Sequence, residues 1–274
     1  MGLLSFVQIV HLRAEFSVED ITNLSSEPSF EERHHALHRL SGDQLSDGYR
    51  WLFSFMKDEN VPEGMRRVDY MSLVNDIFNV LLENDLKAQD LLELSIDTIP
   101  KMDADLVWRD YCVQKFGYLL GRSDLSPASV HRALSLLDNA TSGAFPGLQG
   151  TALIVACKVI ERHPEIESYF LDKGKIGMRA IKSAQSLEAS LLDRVTALQV
   201  AARYRAEGTL AYSIKLIEES LSKELDTMLL VSAIAALGEL GDLSHESLLK
   251  EHRFSPDVRL RSASRRALNE ISTK

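Results

Sequence analysis

Three histidines, His34, His35 and His38, directly follow Glu31 and Glu32 in the first third of the chain. On a helix, His34 and His38 share one face, and Glu31 lies one turn before His34. Imidazole and carboxylate groups are common ligands of zinc and other first-row metals. A lone His-x-x-x-His nevertheless lacks the glutamate beside the first histidine that metalloproteases use. The pattern therefore favours a polar helix surface, with no metal ligand among these residues.

Other motifs for catalysis or cofactor binding are missing from the sequence. It contains no Gly-x-Ser-x-Gly, no Walker loop and no dinucleotide fingerprint. Cys112 and Cys157 lie among apolar residues and have no Cys or His at the spacing of metal ligands. Two reduced, buried thiols in a cytoplasmic protein are the simplest interpretation. We therefore expect no catalytic residue and no cofactor.

The charge of the chain restricts its partners. It carries 31 basic and 40 acidic side chains, which gives a formal net charge of −9. Nucleic acid and anionic membranes both require a basic field, so neither is expected as a partner. No segment approaches the roughly 18 consecutive apolar residues of a membrane span. The apolar residues 2–10 lack the flanking features of a signal peptide and are interpreted as an amphipathic helix or a docking segment.

Apolar residues recur at intervals of three and four along nearly the whole chain, and no run alternates over the length of a strand. This periodicity predicts an all-α fold. The breaks between helices are short and contain glycine, proline, serine or aspartate, which end and begin helices. None of them resembles a long linker. The helices are therefore expected to form hairpins that stack in order along the chain.

Five of the most apolar helices align with one another, which indicates an internal repeat. The aligned starts are Trp108, Gln149, Asp193, Leu229 and Leu260. The fifth, sixth and ninth positions are apolar or small in four of these helices, and Arg265 is an exception in the last. Three of the helices have an aspartate three residues before the start, at N-cap distance: Asp105, Asp226 and Asp257.

The last two of these helices carry a resemblance to a known family. The stretches 226–241 and 255–271, which read DTMLLVSAIAALGELG and SPDVRLRSASRRALNEI, resemble the second helix of HEAT repeats. The resemblance implies a right-handed α–α superhelix, an armadillo-like α-solenoid of about six or seven helical hairpins. We expect a single domain over residues 1–274, with residues 1–60 as a helical cap and residues 61–274 as repeats.

Two helices without a polar face indicate a binding surface. Residues 148–160 contain only Gln149 and Lys158 as strongly polar side chains, and residues 228–238 contain none beyond Ser232. A helix that is apolar on all sides is either fully buried or available to a partner. We predict an apolar strip with flanking arginines on the concave face, formed by Thr151, Val155, Val159, Val231, Ala235, Arg109, Arg194, Arg203 and Arg261. The alternative is that tight curvature, or a helix over residues 2–14, covers this strip.

The predicted architecture favours a non-catalytic scaffold or adaptor that binds a peptide or helix of another protein on its concave face. The alternative is an enzyme on the same scaffold, similar to a cofactor lyase or to the HEAT-like alkylpurine DNA glycosylases. The residue types of those glycosylases occur at Trp51, Trp108, Arg109 and Asp110. A third possibility is a structural subunit, which obligate oligomerisation would reveal.

One dipeptide points to another enzyme class. His245 and Glu246 resemble a His-Glu motif of HEAT-like iron hydroxylases. Those enzymes need several such pairs for two-iron ligation, and this chain has one. The ligand count therefore argues against that class.

Overall fold

The computed structural model describes residues 17–22, 29–58, 61, 63–166 and 171–274. Within these ranges all regular secondary structure is helical. The predicted all-α fold class is therefore confirmed. None of the described helices is long and apolar enough to cross a membrane. The predicted docking segment at residues 2–10, and the helix expected over residues 2–14, lie outside the described residues.

The chain divides into two compact units, residues 1–87 and 88–274. The first contains α1 (Val18–Thr22), α2 (Phe30–Leu37), α3 (Gly42–Asp47), α4 (Tyr49–Lys57) and α5 (Arg67–Glu83). The longest helix, α5, packs against α2 and α4 and buries Tyr70, Ile77 and Phe78. The Tyr70 hydroxyl donates hydrogen bonds to Phe55 O at 3.0 Å and Asp58 O at 2.6 Å, which ties α5 to the end of α4. The single domain and the cap over residues 1–60 stay predictions.

The second unit is a series of helical hairpins. Its helices are α6 (Ala88–Thr98), α7 (Leu106–Leu119), α8 (Pro127–Thr141), α9 (Gln149–Arg162), α10 (Lys173–Gln185), α11 (Leu191–Arg203), α12 (Thr209–Glu219), α13 (Thr227–Leu240), α14 (Glu246–His252) and α15 (Val258–Ser272). Each even-numbered helix packs against the helix that follows it, and α7, α9, α11, α13 and α15 pack side by side in that order. These five are the helices that the repeat alignment identified. Each hairpin therefore covers the apolar face of its neighbour.

Aspartates begin several of the second helices, as the spacing predicts. Asp105 Oδ1 accepts hydrogen bonds from the backbone N–H groups of Val107 and Trp108, at 2.8 and 3.3 Å. Asp226 and Asp257 are the N-caps of α13 and α15. A side-chain acceptor at this position satisfies amides that have no partner inside the helix.

Both cysteines are free thiols in the core of the second unit. Burial raises the pKa of Cys112 to about 12, and burial also raises the pKa of Cys157. The thiolate is the reactive form of cysteine, so these side chains are unreactive at neutral pH. The interpretation of Cys112 and Cys157 as buried, reduced residues is consistent with this environment.

Candidate metal centre

Helix α2 carries the three histidines, and its first turn is fixed by a capping box. Ser29 Oγ accepts a hydrogen bond from Glu32 N at 3.3 Å, and Glu32 Oε2 accepts one from Ser29 N at 2.7 Å. These hydrogen bonds, the backbone one foremost, lower the pKa of Glu32. Buried Arg33 donates from Nη1 to Ile21 O at 2.8 Å, which joins α2 to α1. The start and the rotation of α2 are therefore determined locally.

With Arg33, Ala36 and Leu37 turned inwards, the histidines lie towards the other side of the helix. His34 is half-buried, while His35 and His38 are exposed. The ring centroids of His34 and His38 lie 4.8 Å apart, as their spacing of four predicts.

Asp76 on α5 completes a group of three potential metal ligands. Its carboxylate Oδ2 lies in contact with His34 Nδ1. One ligand atom from each of His34, His38 and Asp76 lies within 4.8 Å of the other two. In the described part of the chain this is the one group of three or more His, Cys, Asp or Glu residues with such convergence. The structure therefore brings together the two histidines singled out in the sequence, whereas Glu31 is exposed and is not part of the group.

Two atoms of this group are buried against each other. His34 Nδ1 and Asp76 Oδ2 are in contact, and neither makes a hydrogen bond of ordinary geometry to a described residue. A buried polar atom without a hydrogen bond costs about 1–3 kcal/mol. A cation bound by both groups would satisfy the two atoms once the carboxylate and the ring separate to admit it, because each has a lone pair to donate.

The donor set fits a first-row divalent metal. Two imidazoles and one carboxylate leave at least one coordination position open, which is typical of catalytic rather than closed structural sites. Ligand atoms of a tetrahedral site lie about 3.3 Å apart, since each is about 2 Å from the ion. An ion at this site would therefore require the contact between His34 and Asp76 to open to this distance. These three residues therefore form a candidate metal centre, and the expectation that α2 presents only a polar surface stays a prediction.

Sequence reasoning missed Asp76, although a signal was present. Asn75 and Asp76 form a polar pair inside the apolar run of α5, between buried Val74 and Ile77. A carboxylate at the border of a buried helix face requires a partner. That partner is His34 on α2, which is far away in the sequence.

The arginines predicted to flank a binding strip have structural contacts. Buried Arg109 donates from Nε to Ile99 O at 2.8 Å. Arg194 donates from Nε to Ala184 O at 3.1 Å. In both cases an arginine on the second helix of a hairpin donates a hydrogen bond to a backbone carbonyl at the end of the first helix. Arg109 and Arg194 therefore each donate a hydrogen bond within their own hairpin, and their role in binding a partner stays a prediction.

The other two predicted arginines also have partners within the chain. Arg261 donates from Nη1 to Ser255 O at 2.7 Å and to Pro256 O at 2.8 Å. Exposed Arg203 pairs with Glu161, with Nε and Oε1 2.5 Å apart. A role of these two arginines in binding a partner stays a prediction.

The five residues of the predicted apolar strip differ in exposure. Val155 and Val159 are only 3% and 1% exposed, because α9 packs between α7 and α11. Thr151 and Val231 are half-buried, and Ala235 is exposed. Val155 and Val159 are therefore mostly covered by neighbouring helices, and the role of all five residues in binding a partner stays a prediction.

The residues that suggested other enzyme classes also have structural roles. Trp108 is buried in the core, next to buried Arg109. His245 Nδ1 lies 3.1 Å from Asp242 Oδ1 and 3.3 Å from the amide nitrogen of Asp242, so it caps a short 3₁₀ turn. Glu246 pairs with Lys250 at 3.0 Å. Neither His245 nor Glu246 is part of the candidate metal group.

The fold places the protein in the class of helical-repeat proteins. No protein-family profile matches the sequence, and no curated protein matches it. Among solved structures, it is similar to human deoxyhypusine hydroxylase in complex with glycerol. That match covers 89% of this chain and 98% of that chain, with 15% sequence identity and a TM-score of 0.30.

This comparison corrects the main functional expectation. The similar solved structure is an enzyme on a HEAT-like scaffold, which contradicts the prediction of a non-catalytic scaffold or adaptor and agrees better with the enzyme alternative. A likeness of this degree assigns neither an activity nor a residue role to this chain. Any functional conclusion must therefore come from the residues of the site itself.

Proposed function

We propose that this protein is a metal-dependent enzyme built on a helical-repeat scaffold, with a divalent first-row metal held by His34, His38 and Asp76. One observation carries the proposal. One potential ligand atom from each of these residues lies within 4.8 Å of the other two, and the His34 ring and the Asp76 carboxylate contact each other through buried atoms. Three protein ligands of this kind leave room for a substrate on a bound ion.

The three ligands have different positions. His34 Nδ1 and Asp76 Oδ2 are the buried side of the group, and exposed His38 lies on its solvent side. A bound divalent ion supplies Lewis-acid chemistry and lowers the pKa of water that it coordinates to about 7. Two neutral imidazoles and one carboxylate leave the loaded site with a net positive charge. This favours substrates whose reacting group is a polarisable carbonyl or phosphoryl oxygen.

To test the proposal, the purified protein is freed of metal with a chelator and then reloaded with Zn²⁺, Co²⁺, Mn²⁺ or Fe²⁺. p-Nitrophenyl acetate and p-nitrophenyl phosphate esters serve as chromogenic substrates. We expect metal-dependent turnover that the chelator abolishes and that Asp76→Asn lowers by at least about 100-fold, since loss of a single outer-shell partner already costs about 10–100-fold.

His35→Gln is the matched control, because His35 is exposed on the same helix and is not part of the group. It should keep the rate of the unaltered chain. Equal rates for Asp76→Asn and the unaltered chain, or no metal-dependent turnover with either ester class, contradict the proposal.

A further inference from the structure

Helices α7 and α9 enclose a cavity of about 240 Å³ within the second unit. We call it the α7–α9 cavity, and the lining residues used below are Gly117, Tyr118, Thr151, Val155, Lys158 and Arg162. Its volume is below the roughly 300–1,000 Å³ of sites for drug-sized ligands. The space therefore suits a small molecule and is too small for a peptide helix.

Gly117 on α7 leaves part of this space open. A Cβ atom at Gly117 would meet only Val155 Cγ1, at the ordinary contact distance of 3.8 Å. Its φ is not positive, so the backbone does not require glycine. Glycine inside a helix is less stable than alanine. Neither packing nor backbone geometry explains Gly117, whereas an occupant of the cavity would.

The charged side chains that line the cavity are both positive. Lys158 and Arg162 line it, and none of its lining residues in the described part of the chain is acidic, in a chain whose net charge is −9. Lys158 is exposed and has no ion pair with a described residue. Two cations without an acidic neighbour among the described lining residues favour an anionic ligand.

The rim combines this positive charge with an aromatic ring. Tyr118 is 60% exposed. Arg162 Nη1 donates a hydrogen bond to Gly117 O at 2.7 Å, which holds its guanidinium 5.7 Å from the centroid of the Tyr118 ring. The ring and the buried side chain of Val155 offer apolar surface beside the two cations. Aromatic groups pack well on such surfaces.

We propose that the α7–α9 cavity binds a small organic anion with a flat apolar body, of the aromatic carboxylate class. Its carboxylate would lie between Lys158 and Arg162, and its ring would pack against Tyr118 and Val155 above Gly117. This site is separate from the proposed metal centre, because its residues belong to the second unit and the metal ligands to the first.

The test uses benzoate as probe, with benzamide as its neutral analogue and acetate as the anion without a ring. Binding is followed in ¹H–¹⁵N NMR spectra of the full chain through the amide of Thr151, which lines the cavity and is unchanged in every variant. We expect benzoate to give a saturable shift with a Kd on the order of 1 mM, as small ligands of this size allow. Benzamide and acetate should bind about tenfold more weakly, because each lacks one of the two interactions.

Two variants report on the cavity itself. Lys158→Gln should weaken benzoate about tenfold and leave benzamide unchanged, and Gly117→Leu should abolish binding by filling the space. Lys182→Gln is the control, because it removes the same charge from an exposed position on α10. Thermal unfolding confirms that each variant folds. The proposal is overturned if benzamide binds as well as benzoate, if Lys158→Gln and Lys182→Gln bind benzoate equally, or if no saturable shift occurs.

Discussion

The carboxylate of Asp193 on α11 caps the neighbouring helix α9: its Oδ1 accepts a hydrogen bond of 2.8 Å from the backbone N–H of Gly150. The N-cap position of α9 is Leu148, whose side chain offers no acceptor. A Cβ atom at Gly150 would lie 2.6 Å from Asp193 Oδ1, so the close approach depends on glycine. One hairpin therefore supplies the cap that the preceding hairpin lacks.

Replacement of Asp193 should accordingly weaken the stack between α9 and α11. We expect Asp193→Ala to lower the free energy of unfolding by about 0.5–2 kcal/mol, the usual cost of losing an N-cap. Asp193→Asn keeps an oxygen acceptor and should lose less. Urea denaturation of the unaltered chain and the two variants measures these free energies. An equal loss of stability in Asp193→Ala and Asp193→Asn would argue against the cap.

Two helical glycines offer a matched comparison of packing. A Cβ at Gly238 on α13 would lie 2.7 Å from Ala267 Cα on α15, whereas one at Gly117 would meet only Val155 at 3.8 Å. Gly238→Ala should therefore destabilise the protein by about 1–3 kcal/mol through overpacking. Gly117→Ala should stabilise it by about 0.5–1 kcal/mol. Thermal unfolding of the two variants shows whether each substitution raises or lowers the stability. A stabilising Gly238→Ala would show that α13 and α15 are not in close contact.

The bond from Arg109 to the carbonyl of Ile99 should contribute more than the surface pair of Arg203. Arg109→Leu leaves a buried carbonyl without its partner, and we expect a loss of about 1–3 kcal/mol. Arg203→Leu removes an exposed ion pair with Glu161 and should cost less than about 1 kcal/mol. Chemical denaturation of the two variants distinguishes these values. A larger loss for Arg203→Leu would contradict the structural role of Arg109.

His252 should make the stability of the second unit depend on pH. Burial lowers its pKa from the ordinary value of 6.5, and its Nε2 lies 3.2 Å from Ser220 Oγ. The unfolded chain therefore takes up a proton at His252 at a higher pH than the folded chain. The contribution of His252 to the free energy of unfolding is therefore fully present above pH 6.5. It decreases as the pH falls through and below that value.

Replacing His252 removes this contribution. His252→Gln should flatten the decrease in the free energy of unfolding on the acid side of neutrality, measured by urea denaturation at several pH values. An unchanged pH profile would contradict the assignment.

Local patterns in the sequence are sufficient to predict the helices and several of their N-caps. The three- and four-residue periodicity predicts the helices, and Asp105, Asp226 and Asp257 occupy the N-cap positions that their spacing indicates. These features depend on neighbours within one or two turns. The side-by-side order of the second helices follows from the repeat of the same pattern.

The candidate site depended on contacts that local patterns do not contain. His34 and His38 share a helix face, but Asp76 reaches them only because α5 packs against α2. Similarly, the hydrogen bonds from Arg109, Arg194 and Arg261 to backbone carbonyls of their own hairpins are not visible in the spacing of the sequence, and the role of these arginines in binding a partner stays a prediction. Both outcomes are set by tertiary packing, which no residue spacing encodes.

The proposed metal centre is tested most directly by diffraction from crystals of the full chain soaked in Zn²⁺, with data collected at the zinc absorption edge. The account predicts an anomalous-difference peak about 2 Å from a ring nitrogen of His34, a ring nitrogen of His38 and a carboxylate oxygen of Asp76. Crystals of Asp76→Asn under the same conditions should lack the peak. A map without density between these three side chains, or with zinc bound only by other residues, would contradict the account.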